Sequence, residues 1–503
     1  MEISLLTLLI ILPLVGAIIT LFMGGNRQKY AKYVAMAFSG LTMIVALMVM
    51  FTDDLSTLAT SSTWIETSFI TINFALNVDG LSILMVFLTA LLSLLVVIFS
   101  AEEEDRPNYF HTLILAMEVG LMGVYLAWDY FLFYVMWELT LIPMYFLISW
   151  YGGPRRHYAA IKFFIYTHVA SLVMLIGIFA LGFESASLTG MGVNFSFDVI
   201  NTVIPAQATE AFQVLVFLLL FFGFAVKMPA VPFHTWLPDA HTEAPTGGSV
   251  ILAGVMLKMG SYGIIRCCLE ALPDGAKYWL WLIIAIALVS MVYGAYACIA
   301  QTDLKKMVAF SSISHMGMVM LGIGVGAAGG DAAQAGIMFA VFQMFAHGII
   351  SAVLFMVCGM TGHKVGTREM PLLGGLAGRL PVYATFMMIG FMASLGLPGL
   401  MGFWGEFPLV FAFYEFIVDN NVLWLIVFCL LTLMLTAGYY IWAMQRTLFG
   451  PETKKIDLTN AHDVSLCEGI ALGVLVVLIA LFGVWPDLAI SFIEPYVAMF
   501  GVI

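Results

Sequence analysis

The amino-acid sequence predicts an all-α polytopic membrane protein. Of its 503 residues, 62% are hydrophobic and only 10% are charged, whereas soluble domains carry about 25% charged residues. The chain contains about fourteen apolar segments, each long enough to cross roughly 30 Å of hydrocarbon. A net charge of −12 argues against nucleic acid as a partner, because nucleic-acid-binding surfaces are basic.

We number the apolar segments as spans 1 to 14 in chain order. Span 1 begins at Ile3 without a basic leading region or a small-residue cleavage site, so we expect it to stay as the first helix rather than be removed as a signal peptide. The spans lie near residues 3–22, 31–51, 81–100, 111–128, 130–150, 159–182, 212–231, 247–269, 278–300, 307–327, 333–360, 383–410, 423–446 and 467–490.

The distribution of lysine and arginine predicts the orientation of the spans. Most of these residues follow odd-numbered spans, whereas the loops on the opposite side are mainly acidic. Basic loops stay in the cytoplasm, so we expect both termini to face the periplasm. Fifteen of the nineteen follow odd-numbered spans: Arg27, Lys29, Lys32, Arg106, Arg155, Arg156, Lys162, Lys305, Lys306, Lys364, Arg368, Arg379, Arg446, Lys454 and Lys455.

Two spans are interrupted. Span 7 breaks at Lys227-Met228-Pro229 and span 12 breaks at Leu397-Pro398-Gly399, because proline removes helix hydrogen bonds. The breaks are five spans apart, which predicts two five-helix repeats, inverted because five is odd; transporters form their sites at such discontinuous helices. The predicted regions are an N-terminal three-helix region (1–110), the first repeat with spans 4 to 8 (111–270), the second repeat with spans 9 to 13 (271–450), and a C-terminal loop with span 14 (451–503).

Ionisable residues inside the spans are the candidate functional residues. A charged side chain in a membrane helix costs roughly 2.5 to 3.5 kcal/mol and is rarely present without a task. No soluble-enzyme motif competes with these residues. They are Glu118, Glu138, Lys227, Lys258, His315, His347 and Glu406, with His168, His234 and His241 nearer to span ends or breaks.

Glu138 and Lys227 form the natural pair of opposite charges. Burial disfavours the charged form of each, and pairing within about 4 to 6 Å favours it again, so separating the pair would release a proton. Lys258 has no evident partner and is a candidate for a lysine that alternates between neutral and charged forms. His315 and His347, in consecutive spans, are candidates for a proton relay.

Static interpretations remain open for each of these residues. Glu138 and Lys227 could be an ion pair that only fixes helix packing. Lys258 could be structural, and the two histidines could be hydrogen-bonded core residues. Glu118 is assigned no role.

Three other patterns have simpler explanations. His234, His241 and Glu243 resemble a metal-binding set, but Pro238 interrupts the spacing and we expect no metal there. The glycine run from 322 to 326 fits close helix packing better than dinucleotide binding. The cysteines lack the CxxC spacing of zinc or iron–sulfur sites and are expected to be small core residues: Cys267, Cys268, Cys298, Cys358, Cys429 and Cys467.

The residues around the break in span 7 resemble a known family. Lys227-Met228-Pro229 and the following run from Pro232 to Thr246, PFHTWLPDAHTEAPT, are similar to the signature of the antiporter-like subunits of respiratory complex I and of the related Mrp-type cation/proton antiporters. The likeness is strongest over residues 129–449, and NVDGLS at 77–82 is a further shared feature. The resemblance implies a fourteen-helix subunit that translocates protons along a hydrated central axis.

The resemblance also implies roles for individual residues. Glu138 and Lys227 match the family's input pair, and Lys258 matches its central lysine. The position of Glu406 lies on the exit path; it usually carries lysine in the subunits called L and N and in Mrp antiporters, and glutamate in the third subunit type. Glu406 therefore predicts that third type, and we expect no long lateral helix like that of subunit L after span 14.

The implied function is proton translocation driven by NADH oxidation and quinone reduction in other subunits of a translocase in the bacterial inner membrane. No redox centre or other cofactor is expected in this chain; NADH, FMN, iron–sulfur clusters and quinone belong to other subunits. The implied neighbours are lipid and the subunits L and N. One alternative is a sodium/proton antiporter subunit. Another is a non-conducting scaffold, in which neutralising Glu138 or Lys227 would have no effect.

Overall fold

A computed structural model describes residues 4–103, 105–453, 455–456, 458 and 461–501; Lys454, one of the predicted basic-loop residues, lies outside them. The described part is mainly helical. Its α-helices are α1 (Leu5–Leu21), α2 (Ala31–Met50), α3 (Ile83–Phe99), α4 (Pro107–Leu126), α5 (Tyr130–Leu139), α6 (Leu141–Tyr151), α7 (Arg156–Thr189), α8 (Phe197–Gln207), α9 (Glu210–Lys227), α10 (Trp236–Glu243), α11 (Thr246–Ile251), α12 (Leu257–Gly263), α13 (Pro273–Ile299), α14 (Leu304–Gly326), α15 (Asp331–Val365), α16 (Leu376–Arg379), α17 (Pro381–Ser394), α18 (Met401–Asp419), α19 (Ile426–Thr447), α20 (Leu466–Val484) and α21 (Asp487–Val497).

The helices confirm a polytopic membrane protein. Twelve helical segments of the described chain are long and apolar enough to cross a membrane. Three shorter apolar helices, α1, α3 and α17, lie where spans 1 and 3 and the first half of span 12 are predicted. The total of fourteen spans stays a prediction.

The prediction of a purely α-helical chain is wrong in one detail, a small three-stranded sheet. Strand β1 (Thr60–Glu66) pairs antiparallel with β2 (Ile70–Leu76), and β3 (Val193–Asn194) pairs parallel with β2. The strands lie in loops between spans, where β-branched and aromatic residues favour extended backbone. A search for apolar runs of membrane-spanning length does not detect such short elements.

Both predicted interruptions are present. α9 ends at Lys227, and the indole nitrogen of Trp236, the first residue of α10, donates a hydrogen bond of 2.9 Å to the carbonyl of Val226. In span 12, α17 ends at Ser394 and α18 begins at Met401. The connecting turn has positive φ angles at Gly396 and Gly399, a conformation that residues with a Cβ rarely adopt.

Span 8 is irregular in a way that the sequence did not indicate. It runs from Thr246 to Leu269 and is buried from Gly247 onward. Two π-helical turns interrupt it, Leu252–Met256 and Ile264–Leu269. Wide turns of this kind disturb the regular hydrogen-bond pattern and occur frequently at functional sites.

The glycine run in α14 confirms the prediction of close helix packing. A Cβ added at Gly322 would lie 2.6 Å from the carbonyl oxygen of Gly336 in α15, and one at Gly326 would lie 2.3 Å from the side chain of Ile337. Five of the six cysteines are buried, and Cys467 is half-buried. These residues therefore serve the packing of the helices.

Gly260 controls how closely span 8 approaches the break in span 7. A Cβ added there would lie 2.6 Å from the carbonyl oxygen of Phe224 and 2.8 Å from the backbone nitrogen of Met228. We expect Gly260→Ala to lower the free energy of unfolding by about 1–3 kcal/mol, because overpacking forces backbone shifts. Gly438 in α19 has no such neighbour within 4 Å, so Gly438→Ala is the control. Thermal unfolding of both variants checks this, and equal midpoints would contradict it.

Candidate functional site

Lys258 lies at the centre of the buried polar residues. It follows the first wide turn of span 8, is fully buried, and donates a hydrogen bond to the carbonyl of Ala253 inside that turn. Its Nζ lies 2.7 Å from Nδ1 of His347 in α15. The expectation that Lys258 has no partner is therefore wrong, and the partner was hidden because it lies 89 residues further along the chain.

Two histidines continue the series from Lys258. The ring centroids of His347 and His315 are 5.5 Å apart. Nδ1 of His315 lies 3.0 Å from Oε1 of Glu406. All of these residues are buried, so the fold gathers candidates from α12, α15, α14 and α18 into one series, in which the two histidines meet through a ring contact.

The break in span 12 shapes the end of this series. Glu406 lies in the second turn of α18 and is 3% exposed. A Cβ added at Gly396 would lie 2.9 Å from Oε2 of Glu406. The glycine-containing turn therefore gives the carboxylate space beside the interrupted helix.

A hydroxyl network beside His315 was missed by the sequence analysis. Oγ of Ser394 lies 3.2 Å from Nε2 of His315 and 2.6 Å from the hydroxyl of Tyr440, which donates to Oγ of Ser311 at 3.0 Å. Ser394 is the last residue of α17 before the break. Its position next to the predicted break is the sequence feature that could have identified it as a candidate. A buried tyrosine or serine in an apolar span gives no signal of its own.

Glu138 and Lys227 are not paired in this structure. Glu138 accepts a hydrogen bond from Ser171, and its Oε2 lies 2.9 Å from Nδ1 of His168. Lys227 is 1% exposed, and its Nζ has no hydrogen-bond partner among the described residues. The ammonium instead lies 5.5 Å from the ring centroids of Trp137 and Phe163.

The remaining candidates lie outside the connected series. His241 is buried, stacks on Phe355 with ring centroids 4.3 Å apart, and has no hydrogen-bond partner among the described residues. Glu243 instead accepts a hydrogen bond from the backbone nitrogen of Arg155 at 2.8 Å. Glu118 is buried and likewise has no partner in the described part. That part contains no group of three side chains that could hold a metal ion.

The connected series suits proton transfer. A neutral imidazole carries one donor and one acceptor nitrogen, so it can accept a proton on one side and give one up on the other. An amine and a carboxylate stand at the two ends, and internal water can bridge separations too long for a direct hydrogen bond. The series can therefore accept a proton at one end and deliver one at the other.

Comparison with known proteins places the chain in a family. Residues 127–436 match the family described as "NADH:quinone oxidoreductase/Mrp antiporter, TM", and residues 64–106 match "NADH-Ubiquinone oxidoreductase (complex I), chain 5 N-terminus". The chain therefore belongs to the antiporter-like membrane subunits of NADH:quinone oxidoreductases and Mrp antiporters.

Within this family, the chain is similar to M subunits over nearly its whole length, as Glu406 predicted. It is 39% identical to F(420)H(2) dehydrogenase subunit M of Methanosarcina mazei, covering 96% of this chain and 94% of that protein. It is 37% identical to NADH-quinone oxidoreductase subunit M of Rhodobacter capsulatus, with 98% and 96% covered.

Solved structures show the same fold. A chain of respiratory complex I from Thermus thermophilus superimposes with a TM-score of 0.87 at 28% identity, covering 99% of both chains. A chain of the Mrp complex from Dietzia superimposes with a TM-score of 0.83 at 21% identity, covering 100% of this chain and 98% of the other.

Proposed function

We propose that this chain translocates protons as an M-type membrane subunit of a respiratory NADH:quinone oxidoreductase. The observation that carries the proposal is the series from Lys258 through His347 and His315 to Glu406. Nζ of Lys258 lies 2.7 Å from Nδ1 of His347, the two histidine ring centroids are 5.5 Å apart, and Nδ1 of His315 lies 3.0 Å from Glu406; an internal water can bridge the two histidines. In this proposal the redox reaction takes place in other subunits, and no redox centre is assigned to this chain.

Lys227 and Glu138 form the input of the path. In this structure His168 and Ser171 hold the carboxylate of Glu138, while Lys227 rests against two aromatic rings. This arrangement is the separated state of the pair. In the other state, an ion pair favours the charged form of both residues, so opening the pair lets the lysine give up a proton toward Lys258. His241, beside the path, is a further relay.

The proposal also covers the arrangement of the spans, their orientation in the membrane and the neighbouring subunits. Ten of the fourteen spans form two inverted five-helix repeats, spans 4 to 8 and spans 9 to 13, and each repeat contains one of the two broken helices. The basic loops face the cytoplasm of a bacterial cell, and both termini face the periplasm. Subunits L and N are the neighbours on either side.

Two alternatives are weaker. A scaffold that only joins its neighbours does not need a connected series of buried ionisable groups, since well-packed apolar residues fix helices without a desolvation penalty. A sodium/proton antiporter subunit is disfavoured by Glu406, where that class usually carries lysine. The relatives include M subunits of complexes named for NADH and for F(420)H(2), which fits a subunit separate from the site of the electron donor.

Glu406 provides the test of this proposal. Glu406→Gln keeps the shape and hydrogen bonding of the side chain but cannot ionise, so we expect an assembled complex with strongly reduced proton-coupled turnover. Glu406→Lys should lose most coupled activity in an M-type subunit and be tolerated in a sodium/proton antiporter subunit. NADH-to-quinone turnover and proton uptake are measured in membranes, with assembly checked on native gels. Full activity of Glu406→Gln would end the assignment of Glu406 as the exit group.

A further inference from the structure

Polar side chains continue from Lys258 along span 8 toward the acidic side of the protein, which we define as the side of the loops after even-numbered spans. Tyr262, Arg266 and Glu270 follow Lys258 at intervals of four residues. Arg266 forms an ion pair with Glu270, and its Cζ lies 5.6 Å from the ring centroid of Tyr262, so these three side chains lie on one face of the helix. The proposed path from Lys258 to Glu406 does not use this face.

The polar face of span 8 ends at a cavity. The cavity has a volume of about 600 Å³, and Arg266 and Glu270 both line it. Its surplus of negative charge raises the local concentration of cations, including protons. Five carboxylates line it, from Asp53, Asp54, Asp79, Asp198 and Glu270.

Arg266 separates this cavity from the interior. Its side chain is only 2% exposed and forms ion pairs with Asp79 and with Glu270, the latter at 3.0 Å. Its Cζ lies 4.8 Å from the ring centroid of Trp128 and 5.2 Å from that of Tyr496. A guanidinium stays protonated in proteins, so these contacts fix a permanent positive charge at the inner end of the cavity.

A buried hydroxyl lies beside Arg266, on Tyr262, which comes between Lys258 and Arg266 along span 8. The hydroxyl of Tyr262 has no hydrogen-bond partner among the described residues, although the side chain is fully buried. Its ring centroid lies 5.6 Å from Cζ of Arg266. Leaving a buried hydroxyl without a hydrogen bond costs free energy, so this oxygen is suited to binding an internal water.

We infer that Arg266 closes an outward branch of the proton path, in which the polar face of span 8 connects Lys258 to the acidic cavity. A proton returning from the cavity would bind to the oxygen of Tyr262 while the hydroxyl hydrogen of Tyr262 passes to an internal water, which in turn gives a proton to the neutral amine of Lys258. The fixed charge of Arg266 repels a proton on this route. The inference rests on the proposed role of Lys258 in proton transfer.

Passive proton leak through the assembled complex tests the inference. Complexes are placed in lipid vesicles with an imposed pH gradient, without electron donor, and the decay of the gradient is followed. Arg266→Gln keeps a hydrogen-bond donor for Asp79 and Glu270 but removes the charge, and we expect the gradient to decay several-fold faster than with the unmodified complex. Arg266→Lys keeps the positive charge, so the gradient should decay no faster with it than with the unmodified complex.

Second-site variants identify the route of the leak. Adding Tyr262→Phe or Lys258→Met to Arg266→Gln should slow the leak again. Tyr125→Phe is the matched control, because it removes a neighbouring buried tyrosine hydroxyl that already has a partner: the rings of Tyr125 and Tyr262 have centroids 5.2 Å apart, and the Tyr125 hydroxyl donates to the carbonyl of Val255 at 2.9 Å. Adding Tyr125→Phe to Arg266→Gln should leave the rate of the proton leak unchanged.

The outcomes distinguish an Arg266 that blocks proton leak from an Arg266 that only stabilises the structure. If Arg266 has only a structural role, the pH gradient should decay no faster with the assembled Arg266→Gln complex than with the unmodified one. That result overturns the inference. Should Arg266→Gln not assemble, Arg266→Gln with Asp79→Asn avoids a surplus buried charge, and this complex must leak. Lost pumping in Lys258→Met without any leak in Arg266→Gln would remove the inference and keep the proposed function.

Discussion

Lys258→Met is expected to abolish proton pumping while the complex still assembles. Methionine is close to lysine in length and apolar, so it fills the buried site without a charge to desolvate. It cannot carry a proton between the input pair and His347, and groups that transfer protons contribute roughly 10²- to 10⁴-fold to a rate. We therefore expect proton uptake per electron transferred to fall to background in vesicles containing the complex.

The control for Lys258→Met is another buried lysine. Lys305 is 2% exposed, and its Nζ donates to the carbonyl of Ala244 at 2.6 Å, without contact to the histidine series. Lys305→Met should lower stability but leave the number of protons per electron in the assembled complex largely intact. If both variants pump normally, the central role of Lys258 is wrong; if both fail equally, loss of any buried lysine explains the result.

Lys227→Ala is expected to have an effect of similar size. Glu138 would lose its only proposed partner of opposite charge, and no amine would remain at the break to pass a proton toward Lys258. We expect an assembled complex that transfers electrons slowly and pumps no protons. Lys277→Ala removes the same side chain from an exposed position and should behave as the unmodified complex.

The proposed pairing of Lys227 with Glu138 allows a second measurement on Lys227. In this structure the two are apart, and Glu138 instead contacts His168 and Ser171. High-resolution maps of the complex during turnover should show Lys227 and Glu138 within ion-pair distance or joined by one water. Normal pumping by an assembled Lys227→Ala complex would favour a static pair that only fixes helix packing.

The sequence predicted the spans well because long apolar runs have few alternatives to helices in a membrane. It also predicted both breaks, because Pro229 and Pro398 cannot complete the helical hydrogen-bond pattern. The small sheet was missed, since strands of seven residues in a loop are too short to stand out. The wide turns of span 8 were missed as well, because no proline marks them.

The sequence by itself determined which residues are chemically unusual. A lysine, a glutamate or a histidine inside an apolar span is conspicuous because of the free energy of burying it, and this identified the residues from Glu138 to Glu406. It did not determine their partners. Lys258 and His347 meet across 89 residues, and Ser394 and Tyr440 across 46, distances over which spacing along a chain carries no information. Only the packing of α12, α14, α15 and α18 decided that four separate residues form one series. Helix packing likewise gave Arg266 its carboxylate partner Asp79, 187 residues away, because contacts between distant helices depend on how whole surfaces fit together.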